Sequence, residues 1–392
     1  MPQATLVPVN PAVVKWAIDQ SGLTVEAIAR RANVPPEVVA SWISGTGSPS
    51  KTQFALLAQA VKRPTSVFFL PAAPKVQTRS VRFRAPIGSR RTQLNPDERD
   101  SIASAARLQR LFAWLAERTR TRADLSRFKG PEDPDGAAGH VRDLIKITPA
   151  QQRKWRDARA AWDMWRTTLE ALGLYVLLQE LGKDGIRAFA LPDDSASLIA
   201  VNSAFSAPAR TFSLFHEFAH LLRGEGSACY GSEGPAGGGG AEPSKIADAR
   251  EERWCDQFAA ALLLPETAFG DFLFGRYGTR EVGSVAVIEA ASTAFKVSGR
   301  ATVLRAIHLG WAPRELYNEV DSLWKVSDFP KPSKSFGGER RSVKRVRELG
   351  QRPMSLVLGA VRNGDLTELD AMRQLRLGSH DYDEVAELLA PT

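Results

Sequence analysis

The residues best suited to chemistry are two histidines four apart, His216 and His220, with Glu217 directly after the first. On an α-helix, residues four apart lie on one face, because the helix has 3.6 residues per turn. The two imidazoles can therefore bind one metal ion, for which zinc is the expected occupant. Glu217 is placed to take a proton from a water molecule at that ion. This spacing predicts metal-assisted hydrolysis of a peptide bond.

Two apolar patterns predict the helices that would hold these groups. Residues 210–222 have apolar side chains around the histidines, which predicts a half-buried helix. Residues 250–264 predict a second helix, which Pro265 ends. On this second helix Glu252 and Asp256 are four apart and share a face. A hydrolytic zinc ion usually takes three protein ligands, so Glu252 can complete the set, and Asp256 can accept the second ring proton of a ligating histidine.

These segments resemble a known family. The His-Glu-x-x-His element followed by Glu-x-x-x-Asp resembles the gluzincin pattern of zinc peptidases. The fuller context, residues 210–222 and 252–265, resembles the ImmA/IrrE family of metallopeptidases. In that family Arg-x-Phe-Thr-Leu-x-His-Glu-x-x-His precedes a helix ending in Phe-Ala-x-x-Leu-Leu-x-Pro. The resemblance implies an α+β zincin-like domain in which the two histidines and Glu252 bind zinc and Glu217 is the general base.

The third ligand has a rival in Glu251. The Glu-x-x-x-Asp spacing selects Glu252, because Glu251 lies about 100° away around the helix. Asp256 stands where the family often has asparagine, and it matches the general gluzincin aspartate. The donor that stabilises the oxyanion of the transition state stays open. Its candidates, each of which also fits a structural or surface role, are Tyr230, Arg210 and His308.

The composition fits a soluble globular protein of two or three domains. The chain has 392 residues, of which 43% are hydrophobic and 24% are charged. No apolar run reaches the roughly 20 residues that a membrane-spanning helix needs, and the N-terminus has no secretory signal pattern. The only cysteines, Cys229 and Cys255, suit a reducing compartment, and Cys255 is expected to be a small buried packing residue. These features predict a cytoplasmic protein with no membrane partner.

The first 70 residues show dense helical patterning. Residues 10–70 predict four short helices whose order resembles the XRE-type (phage Cro repressor-like) helix-turn-helix domain, in which the third helix enters the major groove of DNA. A net charge of +8 permits contact with DNA but does not demonstrate it. Residues 34–45 contain no Arg, Lys, Asn or Gln, the side chains that read bases best, so the domain is predicted to bind either DNA weakly or protein. The candidate DNA contacts are Ser41, Trp42, Ser44 and Lys51.

The order of elements predicts a multidomain chain. An all-α helix-turn-helix bundle at residues 1–72 is followed by a basic linker and helical connector at 73–150. The α+β zincin-like peptidase domain follows at 151–328, with three buried strands in a small sheet beside the metal helices. A linker and a helical C-terminal accessory segment make up 329–392. The glycine-rich residues 231–243, between the two ligand helices, are either a passive connector or a mobile flap.

Helical periodicity marks the first part of the predicted peptidase domain and the C-terminal segment. Residues 151–172 carry a stripe of tryptophans at helical spacing, which predicts one long helix with the tryptophans in the core. Residues 343–389 predict further helices, separated by turns at 364–365 and 378–379.

The function implied by the resemblance is that of a regulatory, zinc-dependent endopeptidase. It would cleave a specific protein, such as a helix-turn-helix repressor or antitoxin, in a stress, phage or mobile-element response. The alternative is a DNA-binding transcriptional regulator or antitoxin whose metal domain acts as a sensor with little proteolysis. Glu217 favours the enzyme, because a sensor needs the metal ligands but has no use for the base. The substrate, the cleavage site, the activating signal and the oligomeric state stay open.

Overall fold

The computed structural model describes residues 6–21, 23–61, 63, 65–73, 82–84, 94–119, 124–224, 227–229, 243–324 and 339–390. The chain folds as two compact units. The first comprises Met1–Phe83 and Ser89–Ser104, and the second comprises Arg84–Gly88 and Ala105–Thr392.

The first unit begins with a bundle of four short helices whose ends follow the signals in the sequence. The Thr24 side chain accepts a hydrogen bond from Ala27 N at 3.3 Å, which begins the second helix. Asn33 ends that helix in the left-handed conformation, with φ of 55°. Ser50 and Gln53 form a capping box at the start of the fourth helix. The helices are α1 (Pro11–Ser21), α2 (Val25–Ala32), α3 (Pro36–Ser44) and α4 (Lys51–Ala60), followed by a 3-10 turn at Thr65–Phe69.

The core of this bundle includes Trp42 of α3. Only 1% of the Trp42 surface is exposed, and the ring belongs to the same core as Val39, Leu57 and Phe68. This is a correction to the predicted set of DNA contacts, because the ring is occupied by core packing and its surface is not available to a groove of DNA. Ser41, Ser44 and Lys51 remain at least partly exposed.

The remaining described elements build an α+β arrangement with a helical C-terminal region, so the predicted fold class is confirmed. A 3-10 turn at Ser126–Phe128 lies between the first two helices of this set. In chain order the elements are β1 (Arg82–Arg84), α5 (Pro96–Thr119), α6 (Pro134–Ile145), α7 (Pro149–Lys154), α8 (Ala158–Ala171), β2 (Tyr175–Gln179), β3 (Ala188–Leu191), β4 (Leu198–Asn202), α9 (Ala207–Leu222), β5 (Ser227–Cys229), α10 (Pro243–Leu263), α11 (Glu266–Tyr277), α12 (Val285–Phe295), α13 (Gly299–His308), α14 (Leu316–Trp324), α15 (Arg341–Leu349), α16 (Gln351–Arg362), α17 (Glu368–Leu375) and α18 (Ser379–Leu388).

The sheet of the second unit has the strand order β5-β3-β4-β2. β2 runs parallel to β4, with Tyr175 opposite Leu198. β3 runs antiparallel to both of its neighbours, with Phe189 opposite Ala200 on one side and Ala228 on the other. All residues of β3 and β4 are buried, which explains why these strands, apart from Asn202 at the end of β4, are apolar without alternation. The three strands predicted from the sequence are β2, β3 and β4.

Helix α9 packs on β3 and β4, and α8 and α10 pack on α9. The contact between α8 and α9 is aromatic, since the rings of Trp165 and Phe215 meet edge to face with centroids 5.0 Å apart. Trp162 is also buried, so the predicted tryptophan stripe is a core feature. The predicted single helix over residues 151–172 is wrong. The chain breaks after Lys154, and Asp157 accepts a hydrogen bond from Ala160 N at 2.8 Å to begin α8 anew.

The C-terminal helices belong to the same unit as the sheet. A buried ion pair on α8, Arg166 Nε to Glu170 Oε1 at 2.8 Å, lies beneath them. Arg166 also donates to the carbonyl of Arg347 at 2.6 Å, which ties the last turn of α15 to α8. Between α15 and α16, Gly350 has φ of 92°, and a Cβ there would clash with Glu170 Oε1. The sequence pattern did not predict this break. A glycine is needed there because the backbone has a positive φ and approaches the ion pair closely.

Among the described residues, no single helix is long and apolar enough to cross a membrane; only the pair Ala249–Leu263 and Glu266–Tyr277, bent by 53°, reaches that length and composition together. The glycine-rich stretch predicted as a connector or flap lies, except for its last residue, outside the described residues, and so does Tyr230.

Candidate metal centre

Helix α9 carries the His-Glu-x-x-His element in its second half, where it is covered by the sheet and by α8 and α10. Pro208 in the first turn suits a helix start, since proline lacks the N–H that would have no partner there. From Leu214 to Leu222 every residue is buried. Glu217 and His220 have no exposed surface, and His216 is 7% exposed. The two histidines are thus held in packed surroundings that restrict the motion of their rings.

The donor atoms of three side chains converge at this point. The Nε2 atoms of His216 and His220 lie 3.2 Å apart. Glu252 on α10 places Oε2 at 3.2 Å from His216 Nε2 and Oε1 at 3.3 Å from His220 Nε2. A tetrahedral site with metal–ligand bonds of about 2.0–2.1 Å has donor atoms about 3.3 Å apart. The residues present therefore fit a metal ion bound by two imidazoles and one carboxylate.

Electrostatics favours the charged form of the third donor. Burial opposes the charge on Glu252, but hydrogen bonds from His216 and His220, with the charges these rings carry when protonated, hold the pKa of Glu252 well below its ordinary value. A carboxylate that stays ionised in a buried site is available as a metal ligand.

Asp256 lies one turn beyond Glu252 and contacts the other side of His216. Asp256 Oδ1 is 2.9 Å from His216 Nδ1. A carboxylate at this distance accepts the Nδ1 proton and leaves the Nε2 lone pair free to bind metal. The contact is the one that the role predicted for Asp256 requires, and that role stays a prediction.

The rival carboxylate, Glu251, is engaged elsewhere. Its Oε1 lies 2.6 Å from Nε of Arg223, the residue that follows α9. The guanidinium of Arg223 stacks over the ring of Trp254 at 5.0 Å, which fixes the position of the charge. Glu251 thus forms an ion pair, and Glu252 is the carboxylate that meets both histidines through Nε2.

Three buried polar side chains hold the C-terminal end of α10. Arg142 Nε donates to the carbonyl of Leu262 at 2.6 Å, Gln152 Nε2 to that of Leu263 at 3.0 Å, and Arg305 Nε to that of Leu264 at 3.1 Å. The last carbonyls of a helix have no partners within the helix, and Pro265 offers no N–H to the carbonyls that precede it. The three donors come from α6, α7 and α13, so they fix the helix that presents Glu252 and Asp256. Sequence reasoning missed them, although Pro265 signalled that the helix end needs outside donors.

The two described candidates for an oxyanion donor have structural partners. The Arg210 guanidinium lies over the ring of Trp162 at 5.1 Å, and burial lowers the pKa of Arg210 to about 10. His308 Nδ1 is 3.2 Å from Gln257 Nε2, and its Nε2 is 3.8 Å from Asp135 Oδ2. These contacts give neither side chain a catalytic role. The oxyanion donor therefore stays open.

Comparison with protein families agrees with this geometry. Residues 169–306, which include both histidines, Glu217, Glu252 and Asp256, match the IrrE N-terminal-like domain of the M78 peptidases. Residues 14–68 match a helix-turn-helix domain. No curated protein matched the chain. The resemblance stated from the two motifs is confirmed, and the chain joins a segment similar to a helix-turn-helix domain to a segment similar to the IrrE N-terminal-like domain.

The helix-turn-helix domain presents few groups for reading bases. Ser41 Oγ donates to the carbonyl of Val38 at 2.7 Å, and Ser44 Oγ donates to the carbonyl of Ser41 at 3.2 Å. Both hydroxyls are thus already bonded to the backbone of α3. Lys51, at the start of α4, is exposed and suits a phosphate contact more than a base contact.

Proposed function

We propose that this chain is a zinc-dependent endopeptidase that cleaves a specific protein. The observation that carries the proposal is the convergence of His216 Nε2, His220 Nε2 and the Glu252 carboxylate at 3.2–3.3 Å from one another. Two imidazoles and one carboxylate, with a fourth position left for water, form the donor set of many zinc hydrolases. Glu217 follows the first ligand directly and is fully buried, as suits a base that acts inside the site.

In this proposal His216, His220 and Glu252 hold the metal. When bound, the metal supplies Lewis acidity, which polarises a peptide carbonyl and makes a water molecule easier to deprotonate. Glu217 accepts the proton of the attacking water and then returns it to the leaving amine. Asp256 holds the His216 ring in the tautomer whose Nε2 faces Glu252.

The fusion to a helix-turn-helix domain supports a regulatory enzyme with narrow specificity. We propose that the substrate is another helix-turn-helix protein, such as a repressor or antitoxin, cleaved in a stress, phage or mobile-element response. The N-terminal domain would bring substrate and site together, either by binding the protein or by binding the DNA that both occupy. The backbone-bonded hydroxyls of Ser41 and Ser44 favour protein contact or weakly specific DNA contact.

The test is cleavage of candidate substrates by the full chain. The wild type, loaded with zinc, is co-expressed with each helix-turn-helix protein encoded beside it, and the products are sequenced at their new termini. Glu217→Gln should lose cleavage and still bind zinc, because the ligands are intact. Glu252→Gln should lose both. Glu251→Gln is the matched control on the same helix, and it should retain both, since that carboxylate pairs with Arg223.

A Glu217→Gln variant that still cuts a proven substrate would overturn the proposed mechanism. Zinc bound equally well by Glu252→Gln and by the wild type would overturn the ligand set. A chain that binds zinc but cuts none of the neighbouring proteins would favour the metal-sensing regulator instead.

A further inference from the structure

Cys255 is a buried thiol in the metal centre to which the proposed mechanism gives no role. It lies on α10 between Glu252 and Asp256, and it has no exposed surface. Its Sγ is 3.5 Å from Nδ1 of His220. That distance is within the range of a hydrogen bond to sulfur, so the thiol contacts the ring and does more than fill space.

The contact is on the side of the ring that faces away from the other ligands. His220 directs Nε2 toward Glu252 Oε1 at 3.3 Å and toward His216 Nε2 at 3.2 Å. Nδ1 is therefore the nitrogen that carries the proton when Nε2 binds a metal. The sulfur of Cys255 lies where an acceptor for that proton is needed.

The two histidines are thus supported from one helix by successive residues. Asp256 Oδ1 contacts His216 Nδ1 at 2.9 Å, and Cys255 Sγ contacts His220 Nδ1 at 3.5 Å. Metal-ligating histidines usually donate their second ring proton to a carboxylate, a carbonyl or a water. A thiol sulfur is a weaker acceptor than any of these. Cys255 therefore offers His220 a weaker acceptor than Asp256 offers His216.

A different role for Cys255, as a metal ligand, is disfavoured by its surroundings. His220, Glu251 and Cys255 offer donor atoms that all lie within 4.8 Å of one another. Glu251, however, pairs with Arg223 at 2.6 Å. A metal there would also need His220 Nδ1 without its proton, while Nε2 belongs to the first donor set. Burial raises the pKa of the Cys255 thiol, which keeps the group neutral.

We infer that Cys255 is a positioning residue for His220, whose sulfur accepts the Nδ1 proton and so presents Nε2 to the metal site. This inference rests on the proposed function, since it assumes that the site binds metal. It assigns a specific task to a residue that the sequence suggested only as packing.

The test compares metal affinity in the full-length wild type, Cys255→Ala and Cys255→Ser by competition with a chromophoric zinc chelator. Loss of the acceptor should lower zinc affinity about tenfold, the lower end of what such partners contribute, because sulfur accepts weakly. Serine keeps an acceptor and should recover most of the loss. Leu263→Val, more than two turns along α10, is the packing control and should bind zinc as the wild type does.

A second measurement reports the ring itself. In protein labelled with ¹⁵N at histidine, the zinc-loaded wild type should show a protonated Nδ1 for His220, and its shift should change in Cys255→Ala. The cobalt-substituted wild type should lack thiolate-to-metal charge-transfer absorption.

Equal zinc affinity and unchanged Nδ1 shifts in all three proteins would overturn the inference while leaving the proposed function intact. Thiolate charge transfer in wild type that disappears in Cys255→Ser would also overturn it, because Cys255 would then be a ligand. A wild type that binds no metal would instead overturn the proposed function, and the inference with it.

Discussion

Asp256 Oδ1 lies 2.9 Å from His216 Nδ1, on the side of the imidazole opposite to Glu252. Glu252 and Asp256 are one turn apart on α10, so a single helix face contacts both nitrogens of one ring. The ring is held between a carboxylate that can share a metal with it and a carboxylate that fixes its tautomer. This arrangement makes α10 as important to the site as the helix that carries the histidines.

Removal of the Asp256 carboxylate should weaken metal binding without removing a ligand. We expect Asp256→Ala to lower zinc affinity about 10–100-fold, the range typical of partners that orient a ligating histidine. Asp256→Asn should lower zinc affinity less than Asp256→Ala does, because the amide oxygen can still accept a hydrogen bond from His216 Nδ1. Competition with a chelator measures both. Asp271→Ala, at an exposed acid on α11, is the control, and an equal loss there would contradict the argument.

The candidate site residues could be predicted from the sequence in two pairs, because helix geometry brings together the members of each pair. The spacings from His216 to His220 and from Glu252 to Asp256 each place two side chains on one face. The caps at Thr24 and Ser50 and the buried strands are equally local signals. Such patterns lie within a few residues of one another and need no knowledge of the tertiary fold. The meeting of Glu252 with the two histidines, by contrast, depends on how α10 packs on α9.

Contacts between distant segments could not be predicted in this way. Helical periodicity shows which face is buried, but not which polar side chain meets the end of a helix. Arg142 and Arg305 reach the last turn of α10 from 120 and 41 residues away. The pairing of Glu251 with Arg223 and the break at Gly350 likewise depend on which elements become neighbours. The burial of Trp42 depends on how α3 packs within its bundle.

Gln152 should be important for stability because it joins two helix ends. Its side chain is fully buried, and Nε2 donates to the carbonyls of Leu263 at 3.0 Å and Phe295 at 2.7 Å. Gln152→Leu leaves both carbonyls buried without this donor, so we expect the free energy of unfolding to fall by about 2–4 kcal/mol. Denaturant unfolding followed by circular dichroism measures it. Lys154→Leu on the same helix is exposed and should change stability by less than about 0.5 kcal/mol.

Two glycines of the C-terminal helices should respond oppositely to alanine. Gly350→Ala places a Cβ against Glu170 Oε1 at a φ of 92°, and should lower the free energy of unfolding by about 1–3 kcal/mol. Gly359→Ala lies inside α16, where a Cβ meets only Arg362 Nη2 at 3.8 Å. That change should stabilise by about 0.5–1 kcal/mol, because alanine favours a helix interior. Equal effects in thermal unfolding would contradict the close approach of α16 to the ion pair on α8.

DNA binding by the helix-turn-helix domain should rest on phosphate contacts. Its affinity should therefore depend strongly on salt concentration and only weakly on base sequence. We expect the full chain to retard duplexes of unrelated sequence with similar affinity at a given salt concentration. Lys51→Ala should reduce the slope of log affinity against log salt by about 1, the contribution of one phosphate contact. Lys15→Ala is the matched control, since Lys15 already pairs with Asp19 at 2.8 Å. Tight binding to one sequence alone, with an affinity that Lys51→Ala leaves unchanged, would contradict this prediction.

Asp135 should make the stability of the second unit depend on pH in the acid range. The nearby His308 ring and the hydrogen bonds from the Arg305 guanidinium outweigh the effect of burial and hold the pKa of Asp135 well below its ordinary value. A carboxylate with a lowered pKa in the folded state stabilises the fold above its unfolded pKa of about 3.9, and this contribution is lost as pH falls below that value. The free energy of unfolding should therefore fall more steeply below about pH 4 in the wild type than in Asp135→Asn. Urea unfolding at several pH values between 3 and 7 measures it. Asp143→Asn changes an exposed position on the same helix and should keep the wild-type dependence on pH. If Asp143→Asn reduced this dependence as much as Asp135→Asn does, the acid response would not arise from Asp135.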